Sequence, residues 1–167
     1  MTDDASRRAA ANRRRGSTAE LAVARYLRTV GFPGAERAVR TGYRTATRTS
    51  PDPGDIAGIP GLVISVKDAQ VERLTSWLTE VRVMTATGGE LGLLVHKRRG
   101  HANPANWWCW LRFRDALALA FPTSLGTTGT YVGPAGDDPI RMQLSHVIPL
   151  LHGAGYGTPP DHERTRR

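Results

Sequence analysis

Residues 55–67, DIAGIPGLVISVK, decide how this chain is read. Two short apolar runs flank Gly58-Ile59-Pro60-Gly61, and glycine and proline between such runs mark a tight turn. The segment predicts a hairpin whose first strand starts at Asp55 and whose second, VISVK, ends at Lys67. A hairpin sets those ends side by side, so one carboxylate and one ammonium meet at one end of a sheet. Such a pair suits phosphodiester hydrolysis assisted by a hard cation. Mg2+ binds through one or two carboxylates and keeps several waters; it neutralises phosphoryl charge and helps to make hydroxide. A lysine beside it orients that water and stabilises the charge that develops. The backbone carbonyl of Val66 is a further oxygen ligand. One carboxylate makes a weak site, however, and the position two residues before the lysine is Ser65, not an acid.

Reading outward from the hairpin, a helix precedes it. Ser17 and Glu20 have capping-box spacing and Gly31 ends the helix. Val23, Ala24, Leu27 and Val30 make one apolar stripe, with Glu20 on it. AERAVR reads as a first strand and residues 41–53 as a polar, arginine-bearing loop. After the hairpin, residues 69–86 predict a second helix, with Val71, Leu74, Leu78 and Val81 at helical period and Trp77 and Met84 widening the face. LGLLVHK and WWCWLRF read as strands, RDALALAF as a short helix, TYV as a small strand and IRMQL as another strand. Ser145 is the expected cap of a final helix that Pro149 shortens or bends. Hairpin strands pair antiparallel, and the strand after the long helix returns parallel by a crossover. The fold class is therefore α/β, with an αβββαβ core and a mixed sheet carrying helices on both faces.

A chain of 167 residues holds one domain with a proper core. Its 23 Lys and Arg outweigh 15 Asp and Glu, a formal charge of +8. That excess favours a polyanionic partner, because neutralised phosphates release counterions. The lone Cys109, inside WWCWL, allows neither a disulfide framework nor a cysteine-rich zinc site. No apolar run is long enough for a membrane span and no signal-peptide core is present, so a cytoplasmic protein is expected. The expected division is a flexible basic arm over 1–15, a core over 16–121, a C-terminal extension packed on it over 122–155, and a disordered tail over 156–167.

The second carboxylate has to come from Asp52, Asp68, Glu72, Glu80 or Glu20. Asp68 alternates away from Lys67 if the strand continues. Glu72 lies opposite the apolar stripe of its helix and should face solvent. Glu80 borders the apolar face beside Trp77 and Met84; it reaches the end of the sheet if that edge packs there, and otherwise it is a solvated residue paired with Arg73 or Arg82. Glu20 on its buried stripe is costly unless hydrogen-bonded or metal-bound, or else it is only the second half of the capping box.

RGSTAELAVARYLRTVGF followed by GDIAGIPGLVISVKD resembles Holliday junction resolvase-like nucleases of the PD-(D/E)xK (restriction endonuclease-like) superfamily, in the versions carried by actinobacteria and their phages. The resemblance spans residues 13–113. Gly16, Ser17 and Glu20 match the family's Gly-Ser-x-x-Glu opening, Asp55 its aspartate and Lys67 its lysine. It implies that Glu20, Asp55 and Lys67 serve metal binding and water activation, and that a homodimer cuts branched DNA with Mg2+ or Mn2+. Ser65 departs from the family, which usually has Glu there. A branch of restriction endonucleases in the same superfamily also carries Ser-x-Lys and supplies the glutamate from the next helix, about thirteen positions after the lysine; here that position is Glu80. The resulting expectation is a metal held by Asp55, Glu80 and the Val66 carbonyl, with Glu20 completing the outer site, Lys67 positioning water and Ser65 hydrogen-bonding to the site. A sequence-specific duplex endonuclease and an inactive DNA-binding relative are the alternatives.

DNA contacts are expected from Arg15 and Ser17, from Tyr43 and Arg44 in the loop before the hairpin, and from the basic turn after the fourth strand, where His96, Lys97, Arg98, Arg99 and His101 follow one another. Trp107, Trp108 and Trp110 read as core and dimer contacts rather than stacking platforms.

Overall fold

The computed structural model describes residues 2–38, 54–122 and 134–160. Among them the elements run α1 (Thr2–Thr29), β1 (Glu36–Arg37), β2 (Ile56–Ala57), β3 (Leu62–Lys67), α2 (Leu74–Gly88), β4 (Leu91–His96), β5 (Trp108–Arg112), α3 (Phe113–Ala120), β6 (Pro139–Gln143) and α4 (Leu144–Gly153). The predicted αβββαβ order stands, in a mixed α/β fold. The sheet has the order β1-β2-β3-β4-β5-β6, and the pairing of β3 with β4 is parallel while the other neighbours are antiparallel. The parallel pair follows from the α2 crossover, which is long enough to carry the chain back to the same end of the sheet.

Side-chain alternation divides the sheet into two faces. Leu62, Ile64 and Val66, with Leu91, Leu93, Val95, Cys109 and Leu111, join Val23, Leu27, Val147 and Leu151 in the main core under α1, α3 and α4. Among the described residues the opposite face is covered by α2, through Trp77 and Val81 against Leu94. Gly92 permits that contact: a Cβ there would stand 2.6 Å from Val81 Cγ1 and 2.5 Å from Thr85 Oγ1. Cys109 lies wholly inside, and burial pushes its thiol pKa up to about 12. Each large apolar side chain sealed in this core contributes about 1.5–3 kcal/mol.

Several expectations are corrected. The first helix begins at Thr2, so residues 2–15 are helical rather than an irregular arm, and Ser17 lies in mid-helix, which rules out its role as an N-cap. The second helix begins at Leu74 rather than residue 69; Val71, assigned to its apolar stripe, is 70% exposed in the connection before it. The final helix starts at Leu144 behind Gln143, so Ser145 is not its cap. Residues 156–160, expected in the tail, bond to the core: Thr158 N–H donates to Gly31 O at 2.7 Å and the Tyr156 hydroxyl to Glu90 at 3.0 Å. Burial and then that Glu90 bond push the Tyr156 hydroxyl pKa up to about 12. The TYV strand, Asp52 and residues 161–167 lie outside the described residues.

Candidate active site

Asp55 owes its place to its neighbours in the chain. Gly54 takes a φ of 82°, and a Cβ on it would meet Ile64 O at 2.5 Å, so only glycine brings the chain this close to β3. The next N–H, of Asp55, then donates to Ile64 O at 2.7 Å. The carboxylate is drawn over β3, where Asp55 Oδ2 accepts from the Val66 N–H at 2.8 Å and from the Ser65 hydroxyl at 3.1 Å. Ser65 is buried, and this bond satisfies its hydroxyl. An acid at position 65 would instead put a second negative charge against Asp55. The serine therefore orients the aspartate.

Lys67, two residues on and on the same face, donates to Glu80 Oε2 at 2.6 Å. Glu80 projects from the second turn of α2, and Thr79, Val83 and Met84 on the same side of the helix complete a cleft with Asp55, Ser65 and Lys67. The cavity measures about 460 Å³. The Glu80–Met84 part of the expected edge thus lies against the end of the hairpin, while Trp77 packs over β4 against Leu94 and His96, and Glu80 pairs with Lys67, not with Arg73 or Arg82. The Glu80 side chain remains 53% exposed, so its bond to Lys67 is worth at most about 1 kcal/mol and is easily exchanged.

Other predicted residues go elsewhere. Glu20 does not line the cleft; Arg37 Nε donates to its Oε2 at 2.6 Å and Arg37 Nη2 donates to the Ser17 hydroxyl at 2.9 Å. Val66 contributes its N–H to Asp55, and it too is not among the residues lining the cavity. Asp68, its side chain 1% exposed, is paired with Lys97 at 2.9 Å and Arg99 at 3.4 Å. Lys97 is thus tied to a buried carboxylate, while Arg99, also paired with it, stays 54% exposed. His96 is buried, with Nε2 3.0 Å from Ala69 O, Nδ1 3.2 Å from Glu72 and its ring against Trp77, so it is not a surface contact either. His101 caps the indole of Trp107 through its carbonyl. Arg15 is exposed on α1 and bonds to Asn12. Tyr43 and Arg44 lie outside the described residues.

Thr79, Val83 and Met84 were missed as cleft residues because helical period marks the face of α2 but not the strand it crosses. Arg98 lies over the Trp108 ring, with Arg141 from β6 beside it. Arg141 also went unnoticed, although the alternation in IRMQL puts it on the face opposite Ile140 and Met142.

Among the described residues, no three His, Cys, Asp or Glu side chains cluster as a metal-binding group. The cleft offers two carboxylates, Asp55 and Glu80, and a cation that retains several waters requires no more. Among the described residues no helix is long and apolar enough to cross a membrane. Comparison of the chain with family models, curated proteins and solved structures finds no match.

Proposed function

We propose that this protein is a metal-dependent endodeoxyribonuclease that hydrolyses phosphodiester bonds in Holliday junctions or related branched DNA, working as a cytoplasmic homodimer. The observation that carries the reading is the convergence of Asp55, Ser65, Lys67 and Glu80, from the turn before β2, from β3 and from α2, on one open cleft. The donor set suits Mg2+ or Mn2+: hard carboxylate oxygens on two sides of an open cleft, one of them, Glu80, half exposed and paired among the described residues with Lys67. Asp55 and Glu80 would hold the cation, which when bound supplies charge neutralisation and a more acidic water.

The chain's own residues do the rest. Ser65 and the Val66 N–H fix the Asp55 carboxylate, so its orientation is set before substrate arrives. With Glu80 holding a cation, Lys67 would be released from it and its ammonium would face the scissile phosphate. There it hydrogen-bonds the attacking water and stabilises the added negative charge. The net charge of +8 favours approach of the polyanion.

The test is cleavage of labelled four-way junctions, flaps and plain duplex in Mg2+, Mn2+ and EDTA. Metal-dependent cutting of the branched substrates, lost in Asp55→Ala, is expected. No cutting of any substrate in either metal would overturn the reading and leave a DNA-binding relative; cutting of plain duplex at fixed sequences would replace it with a sequence-specific nuclease.

A further inference from the structure

Helix α2 covers only part of its sheet face. Its contacts are with β3 and β4, and beyond its edge the same face continues as β5 and β6. The register carries it across: Lys67 stands beside His96, His96 beside Trp108, and Trp108 beside Gln143, while Ser65, Leu94, Trp110 and Arg141 form the next row. Residues opposite one another share a face, so Trp108, Trp110 and Arg141 stand on the side that carries Ser65 and Lys67. Trp110 rests its inner edge on the α2 cluster and both indoles stay partly exposed, whereas Trp107 is buried in the interior.

Two arginines lie on these indoles. The Arg98 guanidinium carbon is 4.4 Å from the Trp108 ring centre, and that of Arg141 is 4.6 Å from Trp108 and 5.4 Å from Trp110. Four neighbouring cations have a carboxylate: Lys97 and Arg99 have Asp68, Arg112 has Asp115, and Arg114 has Asp137. Among the described residues Arg98 and Arg141 have none. The indoles thus hold two guanidinium groups close, with no carboxylate among the described residues paired to them. A solvated surface arginine has no need of such restraint, and an internal ion pair would have supplied the acid.

We propose that this Trp108–Trp110–Arg98–Arg141 face binds an unpaired DNA strand, with Arg98 and Arg141 on backbone phosphates and the exposed indole and guanidinium surfaces stacking bases. The proposal rests on the nuclease reading for its substrate and names the feature of branched DNA that the protein grips. Unpaired bases fit better than duplex, because aromatic and guanidinium planes stack only on bases already out of the helix. The cleft lies on the hairpin side of α2 and the indoles on the β5 side, and the turn at 97–101 leaves β4 at the same end of the sheet as Lys67. Comparable stacking surfaces bind about 4–16 nucleotides.

The experiment is anisotropy of a labelled single strand and of the matching duplex, titrated with the full chain in EDTA over a range of salt. Wild type is expected to prefer the single strand. In Arg98→Gln/Arg141→Gln, single-strand affinity should fall roughly tenfold or more and the slope of log affinity against log salt should lessen by about 1.4, with duplex binding much less affected. Arg98→Lys/Arg141→Lys, which keeps charge but loses the planar stack, should recover the slope but not the full affinity. Unchanged single-strand binding, or equal losses on both DNAs, overturns the proposal. So does a double variant that changes sedimentation of the free protein, which would make the face a contact between copies. Because EDTA removes metal chemistry, a protein that binds through these arginines yet never cuts would retire the nuclease reading alone.

Discussion

Glu20 and Glu80 are both helical glutamates paired with a cation on a neighbouring strand, and they are in opposite conditions. Glu20 is 19% exposed, and its partner Arg37 is also tied to Ser17, so the carboxylate is one corner of a closed network joining α1 to β1. Glu80 is 53% exposed, and Lys67 is its partner across an open cleft. Breaking the first pair leaves a half-buried arginine without its carboxylate and loosens its bond to the Ser17 hydroxyl; breaking the second leaves two groups that water can solvate. A carboxylate recruited to a cation has to leave its old partner cheaply, and only Glu80 meets that condition. The same sequence feature, an acid on a helix near an apolar stripe, thus serves cohesion in one place and is available for chemistry in the other.

The contrast can be broken most directly at the residue both readings require. Asp55→Ala should lower metal-dependent cutting by roughly a thousandfold, about 4 kcal/mol of transition-state stabilisation, as measured by single-turnover cleavage of a branched substrate. Glu80→Gln should lower cutting by about a hundredfold while changing the free energy of unfolding in urea by less than about 1 kcal/mol. Glu72→Ala, at a carboxylate outside the cleft, should leave cutting as it was. Glu20→Gln should do the reverse of Glu80→Gln: a loss of about 1–3 kcal/mol in urea with cutting per folded molecule retained. A Glu20 variant that folds normally and fails to cut would invert the comparison and return Glu20 to the metal site.

The smallest effect concerns β5, two strands beyond Lys67 in the sheet. Burial raises the Cys109 thiol pKa to about 12 in the folded protein, against about 8.5 in an unfolded chain. Above the lower value the unfolded chain binds fewer protons, so stability falls as pH rises. The contribution is intact below pH about 8.5 and is lost as pH climbs towards 12. Cys109→Ala should flatten that part of the urea midpoint-against-pH curve, and the native thiol should resist alkylation until the protein unfolds.

Much of the fold was legible because it depends on local pattern. The Gly-Ile-Pro-Gly turn placed the hairpin, the 3.6-residue period of Leu74, Leu78 and Val81 placed the core of α2, and the alternation in IRMQL placed β6. The errors fell at element ends. Ser17 and Ser145 looked like caps because capping spacing is only local, while α1 continues through Ser17 to Thr2. Val71 joined a helical stripe by period alone, and the chain is not helical there.

What this chain carries in its order of residues is a hairpin that aligns Asp55 with Lys67, a serine where an acid would crowd that aspartate, and a glutamate thirteen positions later. These follow from short-range geometry, in which turn chemistry and helical period fix where a side chain points. Which carboxylate meets Lys67, which cations are spent on Asp68, and which indoles stay open to solvent were decided by packing. Each depends on where α2 crosses the sheet, and that crossing is set by the Gly92 gap and by contacts between residues far apart in the chain.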